Sequence, residues 1–130
     1  MEVRYGEKLI EHFSNPRNCR IMQGSDGFGK FVSPGCGDSV WIYLKISGEH
    51  VSNITFQAFG CPSAIACGSM LTELVLGKHL DDAAQILDEH IISALGGLPE
   101  GREECSAIAA RALHEAIYDY VFKNGKEGGK

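Results

Sequence analysis

The feature that most constrains this chain is a change of period at Cys61. Upstream of it, Val40, Ile42, Leu44 and Ile46 alternate with Trp41, Tyr43 and Lys45. Such a two-residue repeat belongs to a strand with one buried face. Ser47-Gly48-Glu49-His50 has the composition of a hairpin turn. Val51 to Phe59 then returns with Ile54, Phe56 and Ala58 on one face and Thr55 and Gln57 on the other. Just past Cys61 the pattern becomes helical. Pro62 suits the first helical position, and Ala64, Cys67, Leu71, Leu74 and Val75 form a stripe at helical spacing. Cys61 is therefore expected at a strand-to-helix junction, beside unpaired backbone N–H groups that favour a thiolate.

The flanking segments extend this order. Leu9, Ile10 and Phe13 share one face of a short helix over residues 5–13, stopped at Asn15-Pro16 because a residue before proline is pushed out of the helical region. Residues 17–29 read as loop, and 29–33 as a short strand. After Val75, Gly77 is placed as a helix C-cap. Asp81 is placed as the N-cap of a helix carrying Ala84, Ile86 and Leu87, and Asp88 begins a further turn through Ile91, Ile92 and Leu95. A last helix spans about 103–122, with Ile108, Ala112, Leu113, Ala116, Ile117 and Tyr120 inward, before a frayed tail. Strands first and helices after predict an α+β fold. It has a three-stranded antiparallel sheet with helices packed on one face, a short N-terminal helix and a long C-terminal one. The whole chain, 1–130, is read as a single domain with a flexible tail from about 124.

Composition narrows the function. The net charge is −5, and no basic run exceeds a pair, which argues against nucleic acid as a partner. No apolar run approaches the roughly 20 residues that span a bilayer, and the first residues lack the apolar core of an export signal. A cytoplasmic location without membrane association is expected. Five cysteines, widely spaced, then favour reduced thiols over a disulfide framework.

A free cysteine is most often a small buried hydrophobe. That reading suits Cys67, which lies on the apolar stripe, and Cys19 is read as a structural or incidental thiol. Cys36, Cys61 and Cys105 differ, because each lies at an element boundary next to glycine, proline or charged residues. Spacing alone leaves a shared metal site and separate thiols equally open. The absence of a CxxC pair excludes a zinc ribbon or finger. The histidines (His12, His50, His79, His90 and His114) show no mutual metal spacing and are read as surface or partly packed residues.

A resemblance favours the shared site. The segments Asn15-Pro16-Arg17-Asn18, Cys36-Gly37-Asp38, Phe59-Gly60-Cys61-Pro62-Ser63-Ala64-Ile65-Ala66, Leu95-Gly96-Gly97-Leu98-Pro99 and Cys105-Ser106 resemble, in order, the IscU/NifU family of iron–sulfur cluster assembly scaffolds. The resemblance covers residues 5–121 and implies a scaffold and carrier rather than an enzyme. Such a protein takes sulfur from a cysteine desulfurase, accepts iron, builds a [2Fe–2S] cluster (or, through a homodimer, a [4Fe–4S] cluster), and passes it to apo iron–sulfur proteins. It implies Cys36, Asp38, Cys61 and Cys105 as ligands, with the three cysteines as sulfur-accepting candidates. A carboxylate is a harder ligand than thiolate, so Asp38 is expected to keep the cluster labile. Zn2+ is expected to occupy the site in protein purified in air.

Two positions depart from the family. Glu104 stands where a histidine commonly precedes the third cysteine. It is read either as a helix N-terminal acid or as an oxygen ligand exchanging with Asp38. Leu98-Pro99-Glu100-Gly101-Arg102 replaces the Leu-Pro-Pro-Val-Lys to which a dedicated co-chaperone docks, so docking of that chaperone is not implied. Arg102 keeps a basic charge that would steer an incoming persulfide. The alternative function is a zinc-bound sulfur acceptor that activates a desulfurase, the role of a neighbouring branch. That branch has an insertion before the third cysteine, which the interval Cys61 to Cys105 lacks.

Overall fold

The computed structural model describes residues 6–35, 37–98 and 101–128, and side chains as far as Lys123. The elements run α1 (Glu7–Ser14), β1 (Gly27–Val32), β2 (Ser39–Ser47), β3 (His50–Phe59), α2 (Pro62–Val75), α3 (Leu80–Ala83), α4 (Asp88–Leu95) and α5 (Glu104–Gly128). The strands form an antiparallel sheet in the order β1-β2-β3, the meander expected from the alternating pattern.

The two-residue β2–β3 turn places Gly48 at φ +58° and Glu49 at φ +66°. Two positive φ values make the turn whose twist matches that of the strands it joins. Just beyond it the register slips, with Lys45 opposite Asn53 but Ile46 opposite Val51. This bulge at Ser52 lets Val51 and Ile54, three residues apart, both enter the core. With Val40, Ile42, Leu44 and Phe56 they are fully buried.

The helices cover that face. α5 lies across β1 and β2, and α2 lies on β3. The approach of α5 to β1 explains why β1 begins two residues before the expected strand. A Cβ on Gly29 would stand 2.3 Å from the Ala112 carbonyl oxygen, and one on Gly27 would stand 2.5 Å from that of Ala116. These strand positions have side-chain-free faces because a helix backbone rests on them. The opposite face carries an aromatic layer, with Phe28 5.1 Å from Tyr43 and Trp41 5.3 Å from Phe59 between ring centres.

The stretch read as loop after α1 instead guards the open edge of β3. Asn18 adopts φ +62°. Its carbonyl accepts the Phe56 N–H at 2.9 Å, and Cys19 bridges to Phe56. A sheet edge is thereby paired. The same segment is tied to α2. Asn18 Nδ2 donates to Thr72 Oγ1 at 3.0 Å, and the Arg17 N–H donates to Ser69 Oγ at 2.9 Å. His12, expected to be a surface or partly packed residue, is 4% exposed and bonded to Ser69 Oγ.

Two boundaries and one buried face differ from expectation. The residue capping α3 is His79, whose Nδ1 accepts the Asp81 N–H at 3.0 Å, and Asp81 is a first-turn acid. The buried residues there are Ala83 and Ile86, while Leu87 is exposed. α5 runs on to Gly128, past the expected end near Phe122. Otherwise Ile91 and Leu95 of α4, and Ile108, Ala112, Leu113, Ala116 and Ile117 of α5, are buried as their spacing implied. Among the described residues, no helix is long and apolar enough to cross a membrane.

Candidate metal centre

Asp38, Cys61 and Cys105 come from three separate junctions and meet at one end of the sheet. Asp38 immediately precedes β2. Cys61 is the N-cap residue of α2, with extended backbone and no side-chain capping bond. Pro62, which has no N–H to cap, follows it. Cys105 is the second residue of α5. Gly60 makes the meeting possible. Its φ is +143°, and a Cβ there would stand 2.3 Å from Asp38 Cγ. Any other residue would both strain the backbone and displace the carboxylate.

The ligand atoms of the three residues lie within 4.8 Å of one another. Cys61 Sγ is 3.5 Å from Cys105 Sγ, which is 3.9 Å from Asp38 Oδ2. In a tetrahedral site with zinc–sulfur bonds of about 2.3 Å and zinc–oxygen bonds of about 2.1 Å, neighbouring ligand atoms stand about 3.6–3.8 Å apart. The donor set therefore fits a thiophilic cation without large movement. Asp38, Cys61, Gly101, Arg102, Glu104 and Cys105 line a recess of about 130 Å³. Cys61 is half-buried, and Cys105 is 3% exposed.

The electrostatics point the same way. Burial pushes the Cys105 thiol well above the ordinary cysteine range. The neighbouring Cys61 thiol, then Cys67 and Asp38, push it further. Without a cation, a second negative charge is disfavoured there. A bound cation reverses that balance, so loading displaces thiol protons and weakens as pH falls.

The other candidates are distributed as follows. Cys36 lies outside the described residues. Cys67 is fully buried in the core, and burial pushes its thiol up. Cys19 is exposed at the β3 edge. Neither belongs to the ligand group. Arg102 is exposed and makes no ion pair among the described residues. Glu104 is exposed on the rim of the recess, where its carboxylate accepts a short hydrogen bond from Ser33 Oγ. Sequence reasoning missed Ser33 and Gly60 as parts of the site. Gly60 left one signal, its place between the strand end and Cys61. Ser33 left none, since its partner Glu104 is 71 residues away.

The iron–sulfur cluster assembly scaffold protein IscU 1 of Archaeoglobus fulgidus is 45% identical over 122 residues, covering 94% of this chain and 80% of that protein. IscU of Haemophilus influenzae is 38% identical over 127 residues, covering 95% of this chain and all of that protein. Among solved structures, an N-terminal NifU-like protein from Brucella abortus superposes with a TM-score of 0.72. It covers 91% of this chain and 94% of that one, and at 20% identity it speaks for the fold alone. The model of the NifU-like N terminal domain matches residues 4–127, and the chain belongs to that family.

Proposed function

We propose that this chain is a scaffold on which an iron–sulfur cluster is assembled and from which it is handed to apo-proteins. The observation that carries this reading is the convergence of Asp38, Cys61 and Cys105 within 4.8 Å in an open recess. Thiolates are the natural ligands of such clusters. Cys36, two residues before Asp38, supplies the third sulfur. The chain acts as one domain, in the cytoplasm, and as a carrier rather than an enzyme.

A cysteine desulfurase delivers sulfur as a persulfide. A thiolate among Cys36, Cys61 and Cys105 attacks the terminal sulfur, and the donor cysteine leaves as its thiolate. Arg102, exposed at the rim, steers the anionic donor. The cluster is cargo, and Asp38 is the ligand that keeps it exchangeable. Asp38→Ala is accordingly expected to lengthen the life of the bound cluster and slow its transfer.

Anaerobic reconstitution with iron, sulfide and a desulfurase, followed by transfer to apo-ferredoxin, tests this reading. Thiolate-to-iron absorption that moves to the ferredoxin is the expected result. The spacing of the three ligand atoms also suits Zn2+, so protein purified in air is expected to hold zinc. A protein that retains zinc, stimulates the desulfurase and never forms a cluster would replace the scaffold reading with that of a zinc-bound sulfur acceptor.

A further inference from the structure

Glu104 touches the ligand-bearing loop without belonging to the ligand group. Its carboxylate accepts a hydrogen bond from Ser33 Oγ, and Ser33, at the end of β1, is 1% exposed. Three further bonds make Ser33 the hub of the loop. Its Oγ accepts the Gly35 N–H at 3.2 Å. Its carbonyl accepts the Gly37 N–H at 3.0 Å, and its own N–H donates to the Asp38 carbonyl at 2.8 Å. The loop backbone also lies against the carboxylate, since a Cβ on Gly35 would stand 3.9 Å from both Glu104 oxygens. Gly35, Gly37 and Asp38 are thus all tied to Ser33, and Ser33 is held to the first turn of α5 by Glu104.

The arrangement separates Glu104 from a ligand role. Among the described residues, Asp38, Cys61 and Cys105 form the group of converging ligand atoms, and Glu104 is outside it. Its reach is to Ser33, which bears no metal-ligating atom of that kind. Cys105 is the next residue in the chain, so one helical turn carries both a sulfur ligand and the clasp on the loop that supplies Asp38 and, in sequence, Cys36.

We propose that Glu104 is a positioning residue: acting through Ser33, it holds Gly35, Gly37 and Asp38 against the start of α5 and so sets the place of the Asp38 ligand in the metal site. The proposal rests on the metal-binding reading above only in its second measurement. A hydrogen bond to a charged acceptor is stronger than a neutral one. Losing such an outer contact typically costs roughly tenfold in metal affinity.

The first measurement uses metal-free protein, with amide hydrogen exchange at Gly37 and Ser33. Both amides donate to backbone carbonyls, so neither bond is removed directly by a side-chain substitution. Ser33→Ala and Glu104→Ala are each expected to speed exchange at Gly37 several-fold, while the α2 amides and the denaturation midpoint stay near wild type. Glu104→Gln, which keeps an acceptor oxygen, is expected to restore most of the protection.

The second measurement is Co2+ binding, read from the thiolate charge-transfer and ligand-field bands. Ser33→Ala and Glu104→Ala should each weaken binding by roughly tenfold. The double variant should be no worse than either single, because both remove one clasp. The ligand-field bands should keep the wild-type pattern at saturation. A silent Ser33→Ala with losses in both Glu104→Ala and Glu104→Gln would make the carboxylate itself a ligand and overturn the proposal. Additive losses, or unchanged Gly37 exchange in both alanine variants, would also overturn it. Failure of cluster assembly with the exchange results intact would count against the scaffold reading alone.

Discussion

The two ends of α2 are built by opposite rules. Along the body of the helix, Ser69 and Thr72 face the segment 12–18, and nearly every polar group there has a partner. Ser69 Oγ serves both His12 Nδ1, at 2.7 Å, and the Arg17 N–H. Thr72 Oγ1 receives Asn18 Nδ2 and donates to the Ser69 carbonyl. Arg17 pairs with Glu11 at 2.6 Å and Glu73 at 3.3 Å. At the N-terminus, Cys61 makes no capping bond, and two thiols and a carboxylate crowd together within 4.8 Å. One end spends its polar groups on holding the fold. The other pairs them with one another only through long sulfur contacts of 3.5 and 3.9 Å, which a cation can replace. Stability and binding should therefore separate by position along one helix.

Substitutions at the open end should show the largest effect, and it should fall on binding. Cys61→Ser and Cys105→Ser are expected to weaken metal or cluster binding by about 100-fold or more, since serine is a poor ligand for a thiophilic ion. For Cys61→Ser, at a half-buried position, the denaturation midpoint of the metal-free protein should barely move, whereas Cys105→Ser, at a position 3% exposed, should also lose stability. Anaerobic reconstitution followed by visible spectroscopy measures the first, and urea titration the second. Cys67→Ser sharpens the contrast, because it lies one helical turn and a half further on, in the core. It should keep the cluster and lose about 1–3 kcal/mol of stability, the cost of a buried hydroxyl without a partner. A wild-type spectrum for Cys61→Ser would erase the distinction between the two ends.

At the closed end the effect should fall on stability. Ser69→Ala leaves His12 Nδ1 and the Arg17 N–H facing a methyl group. Removing a shared partner from buried groups costs about 1–3 kcal/mol. Metal affinity should stay within a factor of about two of wild type, because distant sites act independently. A loss of binding in Ser69→Ala comparable to that in Cys61→Ser would show the ends to be coupled, and the comparison would fail.

How far the sequence revealed each end follows from the kind of signal each leaves. The sheet and the packing helices were legible because burial on one face writes a period into the chain, as with Val40, Ile42 and Leu44 or Ile108, Ala112 and Leu113. Gly27 and Gly29 write no such period, since what they supply is the absence of a side chain under α5. That is why β1 looked shorter than it is. The polar anchor was hidden for a different reason. Arg17 and Asn18 look like loop residues, and their roles depend on Ser69 and Thr72, more than 50 residues away. Cys61 and Cys105 stood out because each interrupts the local pattern at an element boundary. The Ser33–Glu104 clasp breaks no pattern at all.

The smallest effect expected is a pH dependence of the closed end, carried by His12. Ser69 Oγ accepts the Arg17 N–H, and its hydroxyl hydrogen finds an acceptor in His12 Nδ1 when that nitrogen is unprotonated. The proton of the neutral imidazole is then on Nε2, which faces Glu73 Oε1 at 3.6 Å. Burial holds the His12 pKa below its ordinary value of 6.5. The Arg17 charge lowers it further, against opposing pulls from Glu73 and Glu11. The unfolded chain gains a proton at this residue as pH falls through about 6.5, while the folded chain resists until lower pH. The stability that neutral His12 contributes is thus complete above that value and is lost as pH falls towards the folded pKa. Urea midpoints of chelator-treated protein at about pH 7.5 and about pH 5.5 should show the drop. His12→Gln should shrink it. Because both samples are metal-free, the pH dependence of metal loading at the other end does not enter the comparison. An equal drop in wild type and variant would mean that His12 is charged in the folded state. The Ser69 bond would then have to run the other way, with Nδ1 donating. The closed end would be held by an ion pair to Glu73 instead of a neutral network.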